Sequence, residues 1–518
     1  MKINFKKMLF YILMFIIPIG VWIGIEILVA SITDRFEPLK KDSKKGTLYL
    51  NQDYYDDFFL YEFKESLTTS ASNRAIYSEK KNRFRIFCLG GSTTAGYPYN
   101  NFPTFKCPSS FPNYLRAILQ YNRSLPDVEI LNAGATALNS LNVRHLFKDL
   151  LKYKPDAVVI YSGHNEYFGP NEFAVSKEKT LDYQQPGFYF PFMRIRRTYL
   201  YQGLKKLIGF FTSRFETKHQ DYLVWSQQNY VLPNDPINEQ IAENYRRNVT
   251  EIVKMAKAHH IKLILCTPVT NVAFPPFISK FNQPLDTQTA ARFDSLDNAA
   301  RMLYGSGKIE PAYEIWNQLK QIDSTYADLY YHSGMALARL KKYEQAAKDL
   351  YRAKECDAFP FRAKNYIGEI LREIAREEQV ILVDVEKFFE MLSAKYYPEP
   401  SYLLDHVHPT DEGYYYLALY LARVMIENNV FAAARRIRYP TYKDCRAVLD
   451  INELAVDKIE FEFPLGSYFE RLKLLNPEIQ TYLHLISTRA KKRAEAAKKE
   501  DFLKNIYDGN SQNESQNQ

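Results

Sequence analysis

The stretch that decides the fold is "RIFCLGGSTTAGYPY", residues 85–99. An apolar run, Ile86 to Leu89, ends on two glycines, and Ser92 follows at once. A short apolar run that stops at glycine predicts a buried β-strand. The residues after it allow three interpretations: an ordinary turn, a phosphate-binding loop, or a serine nucleophile at the end of a strand. The phosphate-binding loop is excluded because no lysine follows at the required spacing.

Four further runs resemble this strand: "VEILNAG", "AVVIYSG", "IKLILCTP" and, after a long interruption, "QVILVDV". Helical patterns such as "FPNYLRAILQYN" and "NVRHLFKDLLKY" separate them. Continuous apolar strands that alternate with helices indicate a parallel sheet covered on both faces. We therefore predict a three-layer α/β/α fold, and the 518 residues also leave room for accessory units.

The composition excludes several classes of protein. Hydrophobic residues make up 46% and charged residues 25% of the chain, which is the balance of an ordinary globular protein. The net charge is +8, and the basic run "RAKKRAEAAKK" near residue 490 is interpreted as a solvated helix face, so no nucleic-acid partner is expected. The five cysteines include no C-x-x-C pair, which indicates neither a structural zinc site nor a disulfide scaffold.

The N-terminal segment predicts a membrane anchor. Residues 8–33 carry a single charge, Glu26, and a bilayer-spanning helix needs about 20 apolar residues. A cleaved signal peptide is the alternative. Lysines flank both sides of the segment, so charge alone leaves the orientation open. We expect the main domain outside the cytoplasm, with a cytoplasmic domain tethered by its N-terminus as the alternative. Glu26 lies near one end, and we expect its carboxylate to reach the interface.

The interruption before the last strand contains an internal repeat. Apolar positions in residues 312–319 recur in residues 346–353, and Gly334 and Ala346 occupy small-residue positions where two helices must approach closely. This spacing and pattern resemble the tetratricopeptide repeat, whose units of about 34 residues stack as helix pairs. The alternative is two amphipathic helical hairpins without a binding role.

Polar residues that suit acyl transfer follow the predicted strands. Gly134 and Asn165 stand after the second and third strands, and Asp405 precedes His408 by three residues in "LLDHVHPTDEG". Loops at the carboxyl ends of parallel strands converge on one crevice. A serine becomes nucleophilic when an imidazole takes its proton and a carboxylate orients that imidazole. A glycine lets backbone N–H groups approach an oxyanion, and an asparagine amide supplies another donor.

The same residues allow other interpretations. Asp405, His406 and His408 form a carboxylate with a His-x-His pair, which is typical of metal ligands, but the sequence offers no obvious third and fourth ligand. We therefore expect no metal and no cofactor. His406 is interpreted as a packed or surface histidine. His164 either contacts the substrate or supports Asn165, and "GGST" by itself predicts only a turn.

The ordered set of four blocks resembles the SGNH (GDSL-type) hydrolases, which are named for one residue in each block. Ser92, Gly134 and Asn165 match the first three blocks, and Asp405 to Pro409 match the Asp-x-x-His-Pro of the last. The resemblance covers about residues 83–280 and 360–430. Together with the repeats, the chain resembles membrane-anchored SGNH proteins that carry tetratricopeptide units.

The resemblance implies a role for each matched residue. Ser92 would be the nucleophile, His408 the base and Asp405 the group that orients it. The oxyanion donors would be the backbone N–H groups of Ser92 and Gly134 and the side chain of Asn165. There are two departures from the family pattern: Gly91 replaces the aspartate of the GDSL signature, and Glu166 stands where many members have aspartate.

The expected function is an ester hydrolase, similar to acetylesterases, that acts through an acyl-enzyme on an envelope carbohydrate or lipid ester. The alternatives are an O-acyltransferase that uses the same serine and a scaffold whose repeats bind a protein partner. The long connection after Asn165 is expected to form a lid or substrate wall. His164, Glu166 and Arg362 are candidates for substrate contact, with a surface salt bridge as the alternative for Arg362.

The sequence divides into seven predicted segments. They are a cytoplasmic tip and transmembrane anchor (1–33), a stalk or linker (34–82), the first part of the hydrolase core (83–285), the repeat insert (286–360), the second part of the core (361–430), a helical extension (431–507) and a disordered tail (508–518).

Overall fold

A computed structural model describes most of the chain. The described residues are 5–33, 37–56, 75–99, 107–122, 125–168, 187, 195, 198–212, 229–398, 400–431, 437–465, 472, 474–493 and 495. The predicted tail, 508–518, and most of the predicted lid after Asn165 lie outside the described residues.

The helices and strands alternate through the central part of the chain. The strands are β1 (Leu39–Asp42), β2 (Thr47–Leu50), β3 (Ala75–Tyr77), β4 (Phe84–Gly90), β5 (Val128–Asn132), β6 (Ala157–Tyr161), β7 (Lys262–Cys266) and β8 (Ile381–Val383). The helices are α1 (Phe5–Thr33), α2 (Gln52–Asp56), α3 (Ser92–Ala95), α4 (Phe111–Gln120), α5 (Ser140–Leu150), α6 (Tyr199–Thr212), α7 (Ile237–Ala258), α8 (Thr287–Gly305), α9 (Ile309–Leu319), α10 (Ala327–Arg339), α11 (Tyr343–Cys356), α12 (Asn365–Glu378), α13 (Val385–Leu392), α14 (Asp411–Glu427), α15 (Tyr442–Val448), α16 (Glu453–Glu462) and α17 (478–493).

The core is a five-stranded parallel sheet in the order β5-β4-β6-β7-β8. Its strands are the five apolar runs of the sequence. Alternate side chains of a strand point to opposite faces, so Ile86 and Cys88 pack with α4 and α14. Phe87 and Leu89 pack on the other face with α5, α7 and α12. Both faces are covered, which is the predicted three-layer α/β/α arrangement.

The described part of residues 34–82 packs on the core. Strands β1, β2 and β3 form a small antiparallel sheet. Tyr54 and Tyr55 of α2 and Ile76 of β3 are buried in the same cluster as α5. The Tyr54 hydroxyl donates a hydrogen bond of 2.6 Å to Asp149 on α5. The described residues of the predicted stalk or linker therefore pack against the domain.

The insert between β7 and α12 consists of four helices, α8 to α11. Consecutive helices pack against each other, and Trp316 of α9 is buried among them with its indole N–H donating to Asp297 at 2.8 Å. Gly334 of α10 lies where a Cβ would stand 2.8 Å from the Leu350 Cγ of α11. The glycine therefore allows the close approach of these two helices that the repeat pattern predicts.

The C-terminal helices also belong to the core. Leu449, Ile459, Tyr482 and Ile486 are buried in the same cluster as α4 and α14. The predicted helical extension is thus a packed part of the domain over its described residues.

Glu26 has protein partners, contrary to the expectation that its carboxylate reaches an interface. It is only 9% exposed and accepts hydrogen bonds from the backbone N–H groups of Tyr199 (2.7 Å) and Leu200 (2.5 Å) at the start of α6. The first N–H groups of a helix have no partner within it, so a carboxylate there satisfies two of them. In the part of the chain that the structure describes, no helix combines the length and apolar character needed to cross a membrane. This finding covers only the side chains that the structure describes, which in α1 lie between residues 13 and 29.

Candidate active site

Ser92 stands at the carboxyl edge of the sheet because β4 ends two residues earlier. Gly90 closes the strand where any Cβ would overlap the carbonyl oxygen of Tyr161 and the hydroxyl of Thr94. The chain then turns directly into α3, with Ser92 as its first residue and half-buried. A side chain at Gly90 would push α3, and Ser92 with it, away from the neighbouring strand β6.

Ser92, His408 and Asp405 form a continuous series of hydrogen bonds across 316 residues of sequence. The Ser92 hydroxyl lies 2.8 Å from His408 Nε2, and His408 Nδ1 lies 2.7 Å from Asp405 Oδ2. The other carboxylate oxygen, Oδ1, accepts the backbone N–H groups of Val407 and His408, both at 2.8 Å. The carboxylate therefore holds the tautomer with hydrogen on Nδ1, which leaves the Nε2 lone pair for the serine proton.

Asp405 is ionised at neutral pH despite being fully buried. Burial alone would raise the pKa of this carboxyl, but the electrostatic interactions with the His408 and His406 rings and the hydrogen bonds from His408 lower the pKa well below its usual range. The carboxylate is thus available to stabilise an imidazolium that forms when His408 accepts a proton.

Gly134 and Asn165 lie beside the start of α3. A Cβ on Gly134 would stand 2.5 Å from the Ala95 nitrogen, so the glycine lets the loop after β5 touch α3. The Gly134 N–H donates to Asn132 Oδ1 at 3.1 Å, an internal partner that sequence reasoning did not anticipate for a predicted oxyanion donor. The Asn165 amide nitrogen donates to the Leu138 carbonyl oxygen at 3.1 Å, which uses one of its two hydrogens.

The position of Asn165 explains the glycine at position 91. A Cβ on Gly91 would stand 2.7 Å from the Asn165 amide nitrogen, closer than any side chain tolerates. The family's aspartate could not occupy this backbone without displacing the amide. The glycine at position 91 therefore permits a close approach between the first and third sequence blocks.

Arg362 is not a surface residue, so the salt bridge expected there is a buried one. Its side chain is 2% exposed and pairs with Asp357 at 2.9 Å. The guanidinium also donates to the carbonyl oxygens of Asn271 (3.1 Å) and Phe274 (2.8 Å). These bonds hold the loop after β7 in place, and the structure gives Arg362 no open side for a substrate anion.

Glu166 and His164 are likewise engaged within the protein. Glu166 accepts the backbone N–H (2.9 Å) and the hydroxyl (2.7 Å) of Ser140 at the start of α5. Burial raises the pKa of Glu166 to about 7 although the Ser140 hydrogen bonds oppose this shift. His164 Nδ1 accepts the N–H of Ala363 at 3.4 Å, and burial lowers the pKa of this imidazole to about 3. Glu166 thus connects the loop after β6 to the start of α5, and His164 connects it to the segment before α12.

His406 is a packed histidine. It is 4% exposed and its ring stacks on Phe361, with centroids 5.7 Å apart, and meets Phe277 edge-on at 5.1 Å. Burial lowers the pKa of this imidazole to about 3, which keeps it neutral. Within the described residues no three histidine, cysteine or carboxylate side chains are arranged to hold a metal ion.

Two residues of the site escaped the sequence analysis. The Tyr97 ring lies 4.8 Å from the His408 imidazole, and its backbone N–H donates to the Ser92 carbonyl oxygen at 3.0 Å. Asn271 donates its amide to the Asp405 carbonyl oxygen at 2.9 Å. The signal for Asn271 was its place after a predicted strand; Tyr97 lies in the opening stretch, but nothing local indicates its distant partner.

A serine, an imidazole and a carboxylate in hydrogen-bonding contact at the carboxyl edge of a parallel sheet are the groups that acyl transfer through a serine requires. Residues 88–363 match the GDSL-like Lipase/Acylhydrolase family. The chain belongs to this family, as the four sequence blocks indicated, and the prediction of an ester-bond hydrolase is confirmed. The matched residues include Ser92, Gly134 and Asn165 and end before Asp405.

Solved structures resemble the chain at low identity. The lipase/acylhydrolase from Enterococcus faecalis is 12% identical, with 69% of this chain and 99% of that chain covered and a TM-score of 0.31. A catalytic variant of an acetylxylan esterase from Geobacillus stearothermophilus is 14% identical, with 66% and 93% covered and a TM-score of 0.29. No curated protein matches the sequence.

Proposed function

We propose that the protein is a serine esterase that forms an acyl-enzyme at Ser92, and that its substrate is a carbohydrate or lipid ester of the cell envelope. The observation that carries the proposal is the hydrogen-bonded series Asp405–His408–Ser92, with heavy-atom distances of 2.7 and 2.8 Å. These distances lie within the range in which a base can take a proton from a nucleophile.

In the first half-reaction the Ser92 oxygen attacks the ester carbonyl carbon while its proton passes to His408 Nε2. The Asp405 carboxylate stabilises the imidazolium. In this proposal the backbone N–H of Ser92 and the remaining amide hydrogen of Asn165 donate to the oxyanion. The tetrahedral intermediate then collapses: the ester C–O bond breaks, and His408 gives the proton to the leaving alcohol oxygen.

In the second half-reaction His408 takes a proton from an incoming hydroxyl, which attacks the acyl-Ser92 carbonyl. When water attacks, the acyl group leaves as a carboxylic acid, and the proton on His408 returns to Ser92. When a sugar hydroxyl attacks instead, the acyl group is transferred, which is the O-acyltransferase alternative. Both outcomes use the same groups and differ only in the acyl product. Analysis of the products of p-nitrophenyl acetate turnover, with and without sugar acceptors, therefore distinguishes them: free acetate indicates hydrolysis and an acetylated sugar indicates transfer.

Replacement of Ser92 tests the nucleophile. Ser92→Ala is expected to lower p-nitrophenyl acetate turnover by about 10⁴-fold or more, because nucleophile and base act as a unit. Thr93→Ala is the matched control, since it removes the adjacent, buried hydroxyl. Turnover by Ser92→Ala at the level of the control would exclude the proposed mechanism.

We also infer that residues 8–33, which extend beyond the part of α1 whose side chains are described (13–29), anchor the protein in a membrane with the catalytic domain on the extracytoplasmic side. The support is the sequence of residues 8–33, with Glu26 as its single charge, and the exposure of apolar side chains such as Ile17, Val21 and Leu28 along the helix. The pairing of Glu26 with the start of α6 offsets the cost of a carboxylate in this segment. An inactive alkaline-phosphatase fusion at the C-terminus would contradict the orientation.

The four-helix insert is proposed to be tetratricopeptide-like and to bind a protein partner. Its support is the recurring apolar pattern and the close approach of Gly334 to Leu350. Affinity capture with the full chain and with a chain lacking residues 296–357 tests the partner, which is identified by mass spectrometry. Capture of the same partner by both proteins would contradict a binding role for the insert.

A further inference from the structure

We propose that the C-terminal segment, over its described residues 441–465, 472 and 474–493, is part of the catalytic unit, with Phe463 as a positioning residue for His408 and Tyr482 as a positioning residue for Asp405. This segment lies outside the part of the chain that matches the family, residues 88–363. The proposal rests on the proposed function, because it takes His408 as the base and Asp405 as its partner.

Phe463 reaches the catalytic histidine directly after α16. It is 5% exposed, and its ring centroid lies 6.4 Å from that of His408 with the planes at 86°. Tyr97 completes the contact: its ring lies 4.8 Å from His408 and 5.3 Å from Phe463. These separations are those of attractive aromatic pairs. The two rings thus restrict the rotation of an imidazole whose two nitrogens are already hydrogen-bonded.

Helix α16 is itself fixed to both sides of the site. The Tyr99 hydroxyl, seven residues beyond Ser92, donates to Glu460 Oε1 at 2.6 Å. The same oxygen accepts the backbone N–H of Asp411 at 3.4 Å, at the start of the helix that follows His408. Arg493 of α17 pairs with the other oxygen of Glu460. Phe463 is therefore held relative to the serine loop and the histidine loop at once.

Tyr482 acts on the loop that carries the carboxylate. Asn271 donates through its amide nitrogen to two acceptors, the Tyr482 hydroxyl at 2.5 Å and the Asp405 carbonyl oxygen at 2.9 Å. The Asn271 backbone N–H also donates to the His406 carbonyl oxygen at 3.0 Å. An amide nitrogen carries two hydrogens, so this pair of acceptors uses both and fixes the orientation of the Asn271 side chain.

The first turn of α17 is fixed as well, one helical turn before Tyr482. Glu478 pairs with Arg301 at 2.5 Å and with His332, both in the helical insert. Residues i and i+4 lie on the same face of a helix, so Glu478 and Tyr482 face neighbouring parts of the domain. The segment therefore bridges the insert and the loop of Asp405.

The expected consequence is a loss of rate without a loss of substrate affinity. A base displaced by about 1 Å from its nucleophile costs up to about 10²-fold in rate. Neither Phe463 nor Tyr482 contacts the ester in the proposed mechanism, so its removal affects the transition state through His408 and Asp405. Such a change lowers kcat and leaves KM unchanged.

The first test compares Phe463→Ala with Phe461→Ala, which removes a ring from the same helix end. Turnover of p-nitrophenyl acetate is measured with the full chain, and the active fraction is titrated with a fluorophosphonate. Phe463→Ala is expected to lower kcat by about 10- to 100-fold with KM unchanged. Phe461→Ala is expected to retain kcat, and Phe463→Leu, which refills the volume, is expected to recover most of it. A kcat for Phe463→Ala equal to that of Phe461→Ala, or a change in KM alone, would overturn the proposal.

The second test removes only the Tyr482 hydroxyl. Tyr482→Phe is expected to lower kcat per titrated site by about three- to tenfold, because one hydrogen bond to Asn271 is lost. Ser487→Ala on the same helix is the matched control, since its hydroxyl bonds the Phe461 carbonyl oxygen and not the Asp405 loop. Equal kcat values for the two variants would contradict the role of Tyr482.

A measurement without turnover separates this proposal from the proposed function. The proton in the His408–Asp405 hydrogen bond is expected to give a downfield resonance in the wild type and in Phe461→Ala, and to broaden or vanish in Phe463→Ala. Persistence of the resonance in Phe463→Ala overturns the positioning role. Absence of ester turnover by a wild-type protein that shows the resonance overturns the proposed function alone.

Discussion

Two buried aspartates, six residues apart, have different surroundings in this protein. Asp405 is 0% exposed and Asp411 is 1% exposed. Asp405 bonds an imidazole that in turn bonds a serine. Asp411 belongs to a hydroxyl cluster, which we define as Ser109, Tyr114, Asp411 and Tyr442: it accepts the hydroxyls of the other three.

The difference shows that burial and charge do not by themselves make a reactive site. The hydroxyls around Asp411 can only donate to it, and they join α4, α14 and α15. The imidazole beside Asp405 can take a proton at its far nitrogen and pass it on. We therefore expect changes at Asp405 to affect the reaction and changes at Asp411 to affect stability.

The largest expected effect is that of Asp405→Asn. An asparagine keeps the shape of the side chain but favours the wrong tautomer of His408, and in serine hydrolases this change costs about 10⁴-fold in kcat. Turnover of p-nitrophenyl acetate measures it. Asp411→Asn is the matched control and is expected to keep kcat close to the wild-type value. Comparable losses in the two variants would remove the distinction between the aspartates.

The second prediction is that a change at Asp411 lowers the stability of the protein. Asp411→Ala leaves the three hydroxyls of the hydroxyl cluster without their acceptor, and Arg446 loses an anion 3.5 Å away. The free energy of unfolding is expected to fall by about 3 to 5 kcal/mol, the usual cost of breaking a buried charged network. Urea unfolding measures this value. An unchanged unfolding curve would show that the cluster contributes little to the fold.

Glu166 is expected to make stability depend on pH. Burial raises the pKa of Glu166 from an ordinary value of 4.5 to about 7 in the folded protein, so the folded state favours the protonated form. This contribution is fully present below pH 4.5 and is lost as the pH rises through 7, a change of about 3 kcal/mol. In Glu166→Gln the loss is absent, so the variant gains stability relative to wild type between pH 5 and pH 8. Urea unfolding of both proteins at pH 5 and pH 8 measures this gain. The same difference in the free energy of unfolding between variant and wild type at both pH values would contradict the proton-binding role of the buried Glu166.

Among the changes at Asp405, Asp411, Glu166 and Gly91, the smallest effect is expected for Gly91→Ala. The new methyl group would displace the Asn165 amide, and kcat is expected to fall by about 10- to 100-fold, up to the cost of one oxyanion donor. A double-mutant cycle with Asn165→Ala tests the cause, because a change that acts through Asn165 has little further effect once that side chain is gone. Full additivity of the two changes would mean that Gly91 acts in another way.

The sheet could be predicted from the sequence because each strand is a local pattern. The run from Ile86 to Leu89 and its four counterparts are apolar on both faces, which is a property of buried parallel strands. The set of site residues could be predicted because parallel strands end at one edge, so Ser92 and Asn165 had to be neighbours. The repeat was visible for the same reason: its period lies within one stretch of chain.

What the sequence could not indicate are contacts between distant segments that no pattern links. Phe463 lies far along the chain from Tyr97, and both are ordinary aromatic residues in an aromatic-rich sequence. Arg362 was expected on the surface because arginine usually lies there, but Asp357 and two carbonyl oxygens pair with its terminal nitrogens in the interior. Glu26 was expected to reach an interface because its partners, the N–H groups of Tyr199 and Leu200, are backbone atoms, which carry no sequence signal.

The most direct test of the central claim is the site of covalent modification. The wild-type protein is treated with a fluorophosphonate, digested and analysed by peptide mass spectrometry. A single adduct on Ser92, absent from Asp405→Asn over the same labelling time, is the predicted result. An adduct on any other hydroxyl, or equal labelling of the two proteins, would contradict the assignment of Ser92 as a nucleophile activated by His408 and Asp405.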